Sequence, residues 1–185
     1  MTADPVTGPR QTCGMSTAIS LSAPSAADAE EFITAARAST SLQHPWVSAP
    51  DSDERYVAFL NRAAREDQGS YLVRHSECGT LVGYININNI VRGALSSGYL
   101  GYAAFASHAG RGLMTAGLRA VVTDAFTRLG LHRLEANIQP DNLPSLRLVQ
   151  RLGFRREGFS PRYLMIDGEW RDHERWAVLA EDWAG

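Results

Sequence analysis

A glycine-rich loop that leads directly into an apolar-patterned helix is the segment of this chain best suited to bind an anion. The loop spans residues 109–115 (AGRGLMT), and an apolar run from Leu118 to Leu129 follows it. Glycines leave room where backbone N–H groups must face outward. The first turn of a helix has unpaired N–H groups beside the positive end of the helix dipole. The pattern indicates a seat for a phosphate or pyrophosphate, although a plain structural turn also fits so short a motif.

A second junction of strand and helix lies downstream. A strand-like segment at 134–139 precedes an apolar-periodic helix that ends near Arg151. Asp141 or Asn142 is a natural N-cap for this helix, and Gly153 suits the left-handed position after its end. Because residues 99–106 also form a strand-like segment before the glycine loop, both helices are expected to begin at one edge of a sheet.

The remaining chain alternates helical and strand patterns without repeats or an internal linker. The Asp167-Gly168 pair predicts a hairpin turn. These patterns predict one mixed α+β domain over residues 16–185, with six or seven mostly antiparallel strands and about four helices. Residues 1–15 are rich in Thr, Pro and Gly and are expected to form a disordered N-terminal extension. The predicted helices cover 25–40 and 51–65, and the other predicted strands cover 16–22, 71–74, 81–90, 159–166 and 173–180.

Composition removes several function classes. All 18 basic residues are arginine, so an internal Schiff base, a covalent pyridoxal site and a Walker A lysine are excluded. The formal net charge of −2 argues against broad nucleic-acid binding. No apolar run approaches the roughly 20 residues of a membrane span, and we expect a cytoplasmic protein. Two cysteines and five histidines show no metal-ligand spacing, so neither a disulfide framework nor a metal site is expected.

The order of motifs resembles the GNAT superfamily of N-acetyltransferases. The resemblance is carried by the 109–115 loop and its helix, the strand HRLEAN at 132–137, the Asn-x-x-Ser of Asn142 and Ser145, and the Leu-Gly-Phe at 152–154. The tail DGEWRDH at 167–173 narrows the similarity to the branch that contains ribosomal-protein-alanine N-acetyltransferases. This family fold has a splayed parallel strand pair, and the pantetheine arm of acetyl-CoA enters the gap between the two strands.

The resemblance implies that acetyl-CoA is the co-substrate. Its pyrophosphate would meet the glycine loop, its thioester carbonyl would meet a backbone N–H near Phe105 or Ala106, and Ser145 would protonate the departing thiolate. Asn142 would contact the pantetheine, although helix capping explains this residue equally well. The arginines in the last third of the chain are expected either to face solvent or to contact the phosphates of the cofactor. The implied cofactor-binding residues are Phe105, Ala106, Gly110, Arg111, Gly112, Leu113, Met114, Thr115, Asn142 and Ser145.

The residue that accepts the proton of the amine is less well defined by the sequence than the cofactor contacts are. Glu135, on the strand beside the gap, is the first candidate, and an exposed carboxylate paired with an arginine is the other interpretation. Tyr163, which we also place in the catalytic set, and His173 are further candidates, and either residue could have a packing role. The acceptor is expected to be a protein N-terminus or a small amine, bound near residues 44–46 and 86–92, and the enzyme to be a monomer or homodimer. A non-catalytic acyl-CoA-binding module is the alternative, because Ala109 and Arg162 depart from the family pattern.

Overall fold

The computed structural model describes residues 16–185, so the expected extension at 1–15 lies outside the described residues. Seven strands and five α-helices are present in the described part. The strands are β1 (Ile19–Ser22), β2 (Gly69–His75), β3 (Leu81–Val91), β4 (Ser97–Ala104), β5 (Arg133–Ile138), β6 (Arg155–Ile166) and β7 (Glu169–Leu179). The helices are α1 (Ala29–Ala38), α2 (Thr40–Gln43), α3 (Asp53–Ala63), α4 (Leu113–Thr127) and α5 (Leu143–Arg151).

All seven strands form one sheet in the order β1-β2-β3-β4-β5-β7-β6. The β4–β5 pair is parallel, and the other neighbouring strands are antiparallel. A parallel pair needs a long crossover, and α4 supplies it. The mixed α+β architecture predicted from the sequence is therefore confirmed.

The parallel pair separates along its length. Ser97 to Leu100 of β4 pair with Arg133 to Ala136 of β5. Beyond this point β4 continues to Ala104 in contact with β3, whereas β5 continues to Ile138 in contact with β7. The sheet is thus split between two strands that both end next to helix N-termini, which is the splayed pair implied by the family resemblance.

Apolar side chains cover both faces of the sheet. Under α4, Leu118, Val121 and Leu134 are fully buried. On the opposite face, Phe32 of α1 packs against rings from α3 and the sheet, including Phe105 at a centroid distance of 5.2 Å. Packed apolar side chains therefore flank the split strands on both faces of the sheet.

Small side chains allow α4 to lie close to the sheet. A Cβ added at Gly117 would lie 2.9 Å from Val73 Cγ1. A Cβ at Gly83 would lie 2.6 Å from the sulfur of Met114. Close packing at these two positions places the first half of α4 against β2 and β3.

Some element boundaries differ from the sequence prediction. The predicted 25–40 helix is divided, with a 3-10 turn at Ala26–Asp28, then α1 and a separate α2. Strand β4 ends at Ala104, and Ala106–His108 forms a 3-10 turn instead of continuing the strand. Cys78, between β2 and β3, is disulfide-bonded, which the two isolated cysteines of the sequence did not predict. The hairpin turn at Asp167 and Gly168 is confirmed, and both residues have positive φ.

Candidate active site

The glycine loop ends in the N-terminus of α4, as the sequence predicted. Gly110 and Gly112 have φ of +75° and +79°, a left-handed conformation that side chains disfavour. Gly112 is the N-cap, and its carbonyl accepts hydrogen bonds from the N–H groups of Thr115 and Ala116. The N–H groups of Gly112 and the two residues after it have no acceptor within residues 16–185. We call these donors, at the positive end of a 15-residue helix, the anion seat, because unpaired N–H groups at a helix N-terminus favour anions.

The N-terminus of α5 positions the second predicted group. Asn142 is the N-cap, and its side chain accepts a hydrogen bond from the Ser145 N–H at 3.2 Å. After the helix, Gly153 has φ +80°, and the Phe154 N–H bonds to the Val149 carbonyl. Both ends of α5 are therefore closed as the sequence predicted, and Ser145 is held on the first turn.

Ser145 contacts a residue that the sequence reasoning missed. The Tyr102 hydroxyl, on the separated part of β4, lies 2.6 Å from Ser145 Oγ. Burial raises the pKa of Tyr102 to about 12, so the phenol keeps its proton at neutral pH. The sequence did contain one signal for Tyr102. It lies two residues after Leu100 on the predicted strand, and alternate residues of a strand face the same side. Two hydroxyl groups thus meet at the gap, one from each helix-strand unit.

A cleft of about 800 Å³ runs through the gap and joins these features. Predicted site residues that line it are Gly110, Gly112, Leu113, Met114, Thr115, Asn142, Ser145 and Tyr163. No carboxylate is among the lining residues from the described part of the chain. The charged side chains in its wall are Arg147 and Arg151 of α5. Neither arginine forms an ion pair with another residue in the 16–185 range.

Four predicted site residues do not line the cleft. The Phe105 N–H donates to the Val82 carbonyl at 2.8 Å, and the Ala106 N–H donates to Ser39 Oγ at 2.9 Å. Both predicted thioester donors are therefore already engaged. Arg111 places a guanidinium nitrogen 3.3 Å from His108 Nδ1, beside the anion seat.

Glu135 is held away from the cleft by an ion pair. Its carboxylate accepts from Arg133 Nε at 2.9 Å, and the same guanidinium also pairs with Glu157. Its side chain is 19% exposed. Glu135 as the proton acceptor stays a prediction, and the arrangement is the carboxylate–arginine pair that the sequence offered as the other interpretation.

The end of the cleft opposite α4 has a neutral polar wall. Tyr99, Asn137, Tyr163 and His173 line it. The rings of Tyr163 and His173 lie 6.1 Å apart, edge to face. Burial, and then the charge of Glu135, raise the pKa of Tyr99. This wall therefore contains hydrogen-bonding groups but no permanent charge.

The two segments expected on the acceptor side reach the cleft in part. Trp46 comes from the 44–46 segment, and Asn88 and Asn89 come from 86–92. His44 lies outside the cleft wall, with Nε2 3.9 Å from the Asp167 carboxylate. These residues contribute one apolar ring and two amide groups to the cleft wall.

A split parallel pair flanked by two helix N-termini, with an anion seat at one end and a neutral polar wall at the other, is the architecture of a CoA-dependent acyltransferase. The family description "Acetyltransferase (GNAT) domain" matches residues 19–155. The chain belongs to the GNAT acetyltransferase family and is an acetyl-CoA-dependent enzyme of that family.

Individual relatives agree with this assignment. The chain is 34% identical to "Probable N-acetyltransferase YjcK" of Bacillus subtilis, over 70% of this chain and 71% of that protein. It is 41% identical to the uS5-alanine N-acetyltransferase of Escherichia coli, over 56% of this chain and 53% of that enzyme, so this match spans about half of the relative. The structure resembles Mycobacterium smegmatis RimJ in complex with CoA-disulfide, with a TM-score of 0.82, 30% identity, and coverage of 90% of this chain and 84% of that one.

Two further observations concern ions and membranes. Among residues 16–185, no group of three His, Cys, Asp or Glu side chains is placed to hold a metal ion. None of the described helices combines the length and apolar character needed to cross a membrane.

Proposed function

We propose that this enzyme transfers the acetyl group of acetyl-CoA to the α-amine of a protein N-terminus, by direct attack of the amine on the thioester. The observation that carries the proposal is a single cleft that contains the α4 anion seat, the Ser145–Tyr102 pair and a neutral polar wall. A cleft that passes through the sheet lets cofactor and amine approach the same carbonyl carbon from opposite faces, which supplies the proximity part of catalysis.

We propose that the cofactor lies along the cleft, with its phosphates at the α4 end. The pyrophosphate is proposed to bind the N–H groups at the start of α4, because helix N-termini bind such anions without side-chain charge. Arg147 and Arg151 line the cleft without carboxylate partners within residues 16–185 and are proposed to contact phosphate groups. Pantetheine would then lie between the separated ends of β4 and β5.

The thioester carbonyl needs a backbone donor that faces the gap. The Phe105 N–H points to β3, so the neighbouring residue of this extended chain, Ala104, presents its backbone groups to the other side. The Ala104 carbonyl indeed accepts a hydrogen bond from Gln43, a residue of the cleft wall, at 3.0 Å. We therefore propose the N–H groups of Ala104 and Tyr102, instead of those of Phe105 and Ala106, as the donors that polarise the carbonyl.

Ser145 is proposed to protonate the sulfur as the carbon–sulfur bond breaks. The Tyr102 phenol, protonated at neutral pH, can donate to Ser145 Oγ while Ser145 donates to the thiolate. The 2.6 Å contact orients the serine hydroxyl before the cofactor arrives. Tyr163 is proposed to line the acceptor side, where its ring packs against His173.

The chemistry of the acceptor wall favours a monoamine over a polyamine. Polyamines carry additional ammonium groups that need carboxylate partners, and no carboxylate is among the described residues that line the cleft. The relationship to the uS5-alanine enzyme of Escherichia coli supports an N-terminal alanine as the first acceptor to test.

Thiol release from acetyl-CoA, with mass spectrometry of the acceptor, tests the proposal. We expect turnover with a peptide that begins with alanine, and we expect the acetyl group on the α-amine. The matched control is the same peptide with a formylated N-terminus and an internal lysine, which should be inert. Preference for spermidine over the alanine peptide would contradict the protein-acceptor assignment.

The alternative is a module that binds acyl-CoA without transferring the group. Ala109, at the position where the family motif has Gln or Arg, favours weaker cofactor contacts. Cofactor binding without thiol release, over a panel of peptide and small-molecule amines, would support this alternative.

A further inference from the structure

The neutral wall of the cleft contains two hydrogen-bond acceptors that no residue of the described range 16–185 uses. We propose that His173 Nε2 takes the proton from the acceptor ammonium and that Asn137 Oδ1 accepts a hydrogen bond from the same nitrogen. This inference rests on the proposed acetyl transfer and assigns the amine subsite of that reaction. The assignment follows from sheet register, hydrogen bonding and the charges around the cleft.

Sheet register places the two side chains on one face. Asn137 of β5 is opposite Arg175 of β7, and Ile138 is opposite Glu174. His173 is therefore the next position along β7, directly past the end of the paired segment, and it shares the face of Arg175 and Asn137 because strand side chains alternate. Ile138 and Trp176 belong to the apolar cluster under α4, on the other face. The pair thus lies at the acceptor exit of the gap.

The hydrogen bonding of His173 defines which nitrogen holds the proton. Its Nδ1 lies 3.0 Å from the Arg171 carbonyl oxygen. A carbonyl oxygen only accepts, so Nδ1 carries the hydrogen and the lone pair is on Nε2. Nε2 makes no hydrogen bond with any residue of the 16–185 range. Burial lowers the pKa of His173, so the ring is neutral at pH 7 and able to accept a proton.

The charged and titratable groups that face His173 leave its imidazole ring neutral at pH 7. From β6 the facing titratable group is Tyr163. On β7, Asp172 favours the protonated ring, but its carboxylate also accepts from the Arg162 N–H at 2.7 Å. Arg175 lies on the same face of β7 as His173, and Asn137 of β5 is uncharged. Burial has the largest effect on this pKa.

Two other candidate bases, Glu135 and His108, are engaged elsewhere. Glu135 is paired with Arg133 and does not line the cleft. His108 lines the cleft beside the anion seat, but its Nε2 is 2.8 Å from Thr80 Oγ1 and its Nδ1 faces Arg111. Of the two histidines in the cleft wall, His173 is the one with an available lone pair.

Asn137 supplies the second contact to the nitrogen. Its Oδ1 is buried and has no hydrogen-bond partner among the described residues. A buried carbonyl without a partner costs about 1–3 kcal/mol. An ammonium or amine donor bound at this point would remove that cost, so the carboxamide favours ligands with N–H donors.

The proton balance of the step is complete. An ammonium R–NH₃⁺ gives one proton to His173 Nε2, and the nitrogen lone pair attacks the thioester carbon. The carbon–sulfur bond then breaks, its electron pair goes to sulfur, and Ser145 protonates the sulfur. The nitrogen loses a second proton, which restores the Ser145 hydroxyl, and it keeps one proton in the amide. His173 releases its proton to solvent.

The pH dependence of kcat/KM tests this assignment, with the alanine peptide and, separately, spermidine as probes. In the wild-type enzyme the acidic limb should follow His173, below about 6.5. His173→Asn keeps a donor for the Arg171 carbonyl but removes Nε2. We expect it to lower kcat/KM at pH 7 by about 10²- to 10⁴-fold. Its acidic limb should move up to the pKa of the amine itself, about 7.7–8.0 for an α-amine.

Matched variants separate this role from a structural one. His132→Asn removes an exposed histidine and should change neither rate nor profile. Asn137→Ala should raise KM more than it lowers kcat. An unchanged acidic limb in a folded His173→Asn enzyme would overturn the assignment. No turnover by the wild-type enzyme with any amine would instead refute the proposed function.

A spectroscopic measurement does not depend on turnover. Two-bond ¹H–¹⁵N correlations of the wild-type protein, assigned against the His173→Asn spectrum, should show a neutral Nδ1–H ring at pH 7. An Nε2–H tautomer or an imidazolium at pH 7 would refute the proposal, even if no acceptor is found. His173→Gln provides a second variant if the asparagine protein does not fold.

Discussion

The contact between Ser145 and Tyr102 allows a double-mutant test of the leaving-group step. The two hydroxyl oxygens are 2.6 Å apart, and the phenol stays protonated at neutral pH. If Ser145 protonates the thiolate, Ser145→Ala should reduce kcat by about 10²- to 10⁴-fold, typical of a lost general acid. Cofactor affinity should change little, because the interaction forms only as the carbon–sulfur bond breaks.

Tyr102 acts through Ser145, so its expected effect is smaller. Tyr102→Phe removes one hydrogen bond between hydroxyls, worth about 0.5–1.5 kcal/mol. At about 1.36 kcal/mol for each tenfold change, kcat should fall about 2- to 13-fold. In the Ser145→Ala background the same change should have almost no effect on kcat, because the group that Tyr102 orients is already absent.

Stability should change in the same order. Ser145→Ala leaves the partly buried Tyr102 hydroxyl without its partner, which should cost about 1–3 kcal/mol of unfolding free energy. Tyr102→Phe leaves Ser145 Oγ facing the cleft, where water can bind it, so the cost should be lower.

The assay is a four-enzyme cycle of thiol release at saturating acetyl-CoA and acceptor, with thermal unfolding of each protein. Multiplicative losses of kcat in the double variant would show that the two hydroxyls act independently, and would refute the relay. A Ser145→Ala enzyme with wild-type kcat would remove Ser145 from the mechanism.

Three further predictions concern the cofactor and the carboxylate beside the gap. Acetyl-CoA at about 100 times its Kd should stabilise the protein by about 2.7 kcal/mol and raise Tm by about 5–11 °C; no shift with any CoA compound would contradict cofactor binding. Gly112→Asp should abolish acetyl-CoA binding in calorimetry, because a carboxylate would repel the pyrophosphate. Gly112→Ala, which imposes the same left-handed strain without charge, should bind more weakly than wild type but detectably, and equal affinities of the two variants would reduce the loop to a turn. Glu135→Gln should leave the acidic limb of kcat/KM unchanged, since Arg133 holds the carboxylate outside the cleft, and a flattened limb would restore Glu135 as the base.

Local sequence patterns were sufficient for the glycine loop, the cap of α5 and the β6–β7 turn. Left-handed glycines, the Asn142 cap and the Asp167-Gly168 turn depend on backbone preferences within a few residues, so their types and spacing predict them directly. The absence of lysine excluded Schiff-base, pyridoxal and Walker A chemistry directly, because composition is a property of the chain alone. The splayed strand pair was reached through the family resemblance, since pairing partners distant in sequence leave little local signal.

Tertiary structure decided which polar groups are available for chemistry. Glu135 and His173 are both plausible bases in the sequence, but only packing shows that Arg133 occupies the first and that Arg171 orients the second. Phe105 likewise follows the strand as expected, yet its N–H is used by Val82, and this depends on how β3 meets β4. Tyr102 reads as an ordinary strand residue until α5 brings Ser145 within 2.6 Å. Hydrogen bonds between distant segments depend on register and helix packing, and these are properties of the whole fold.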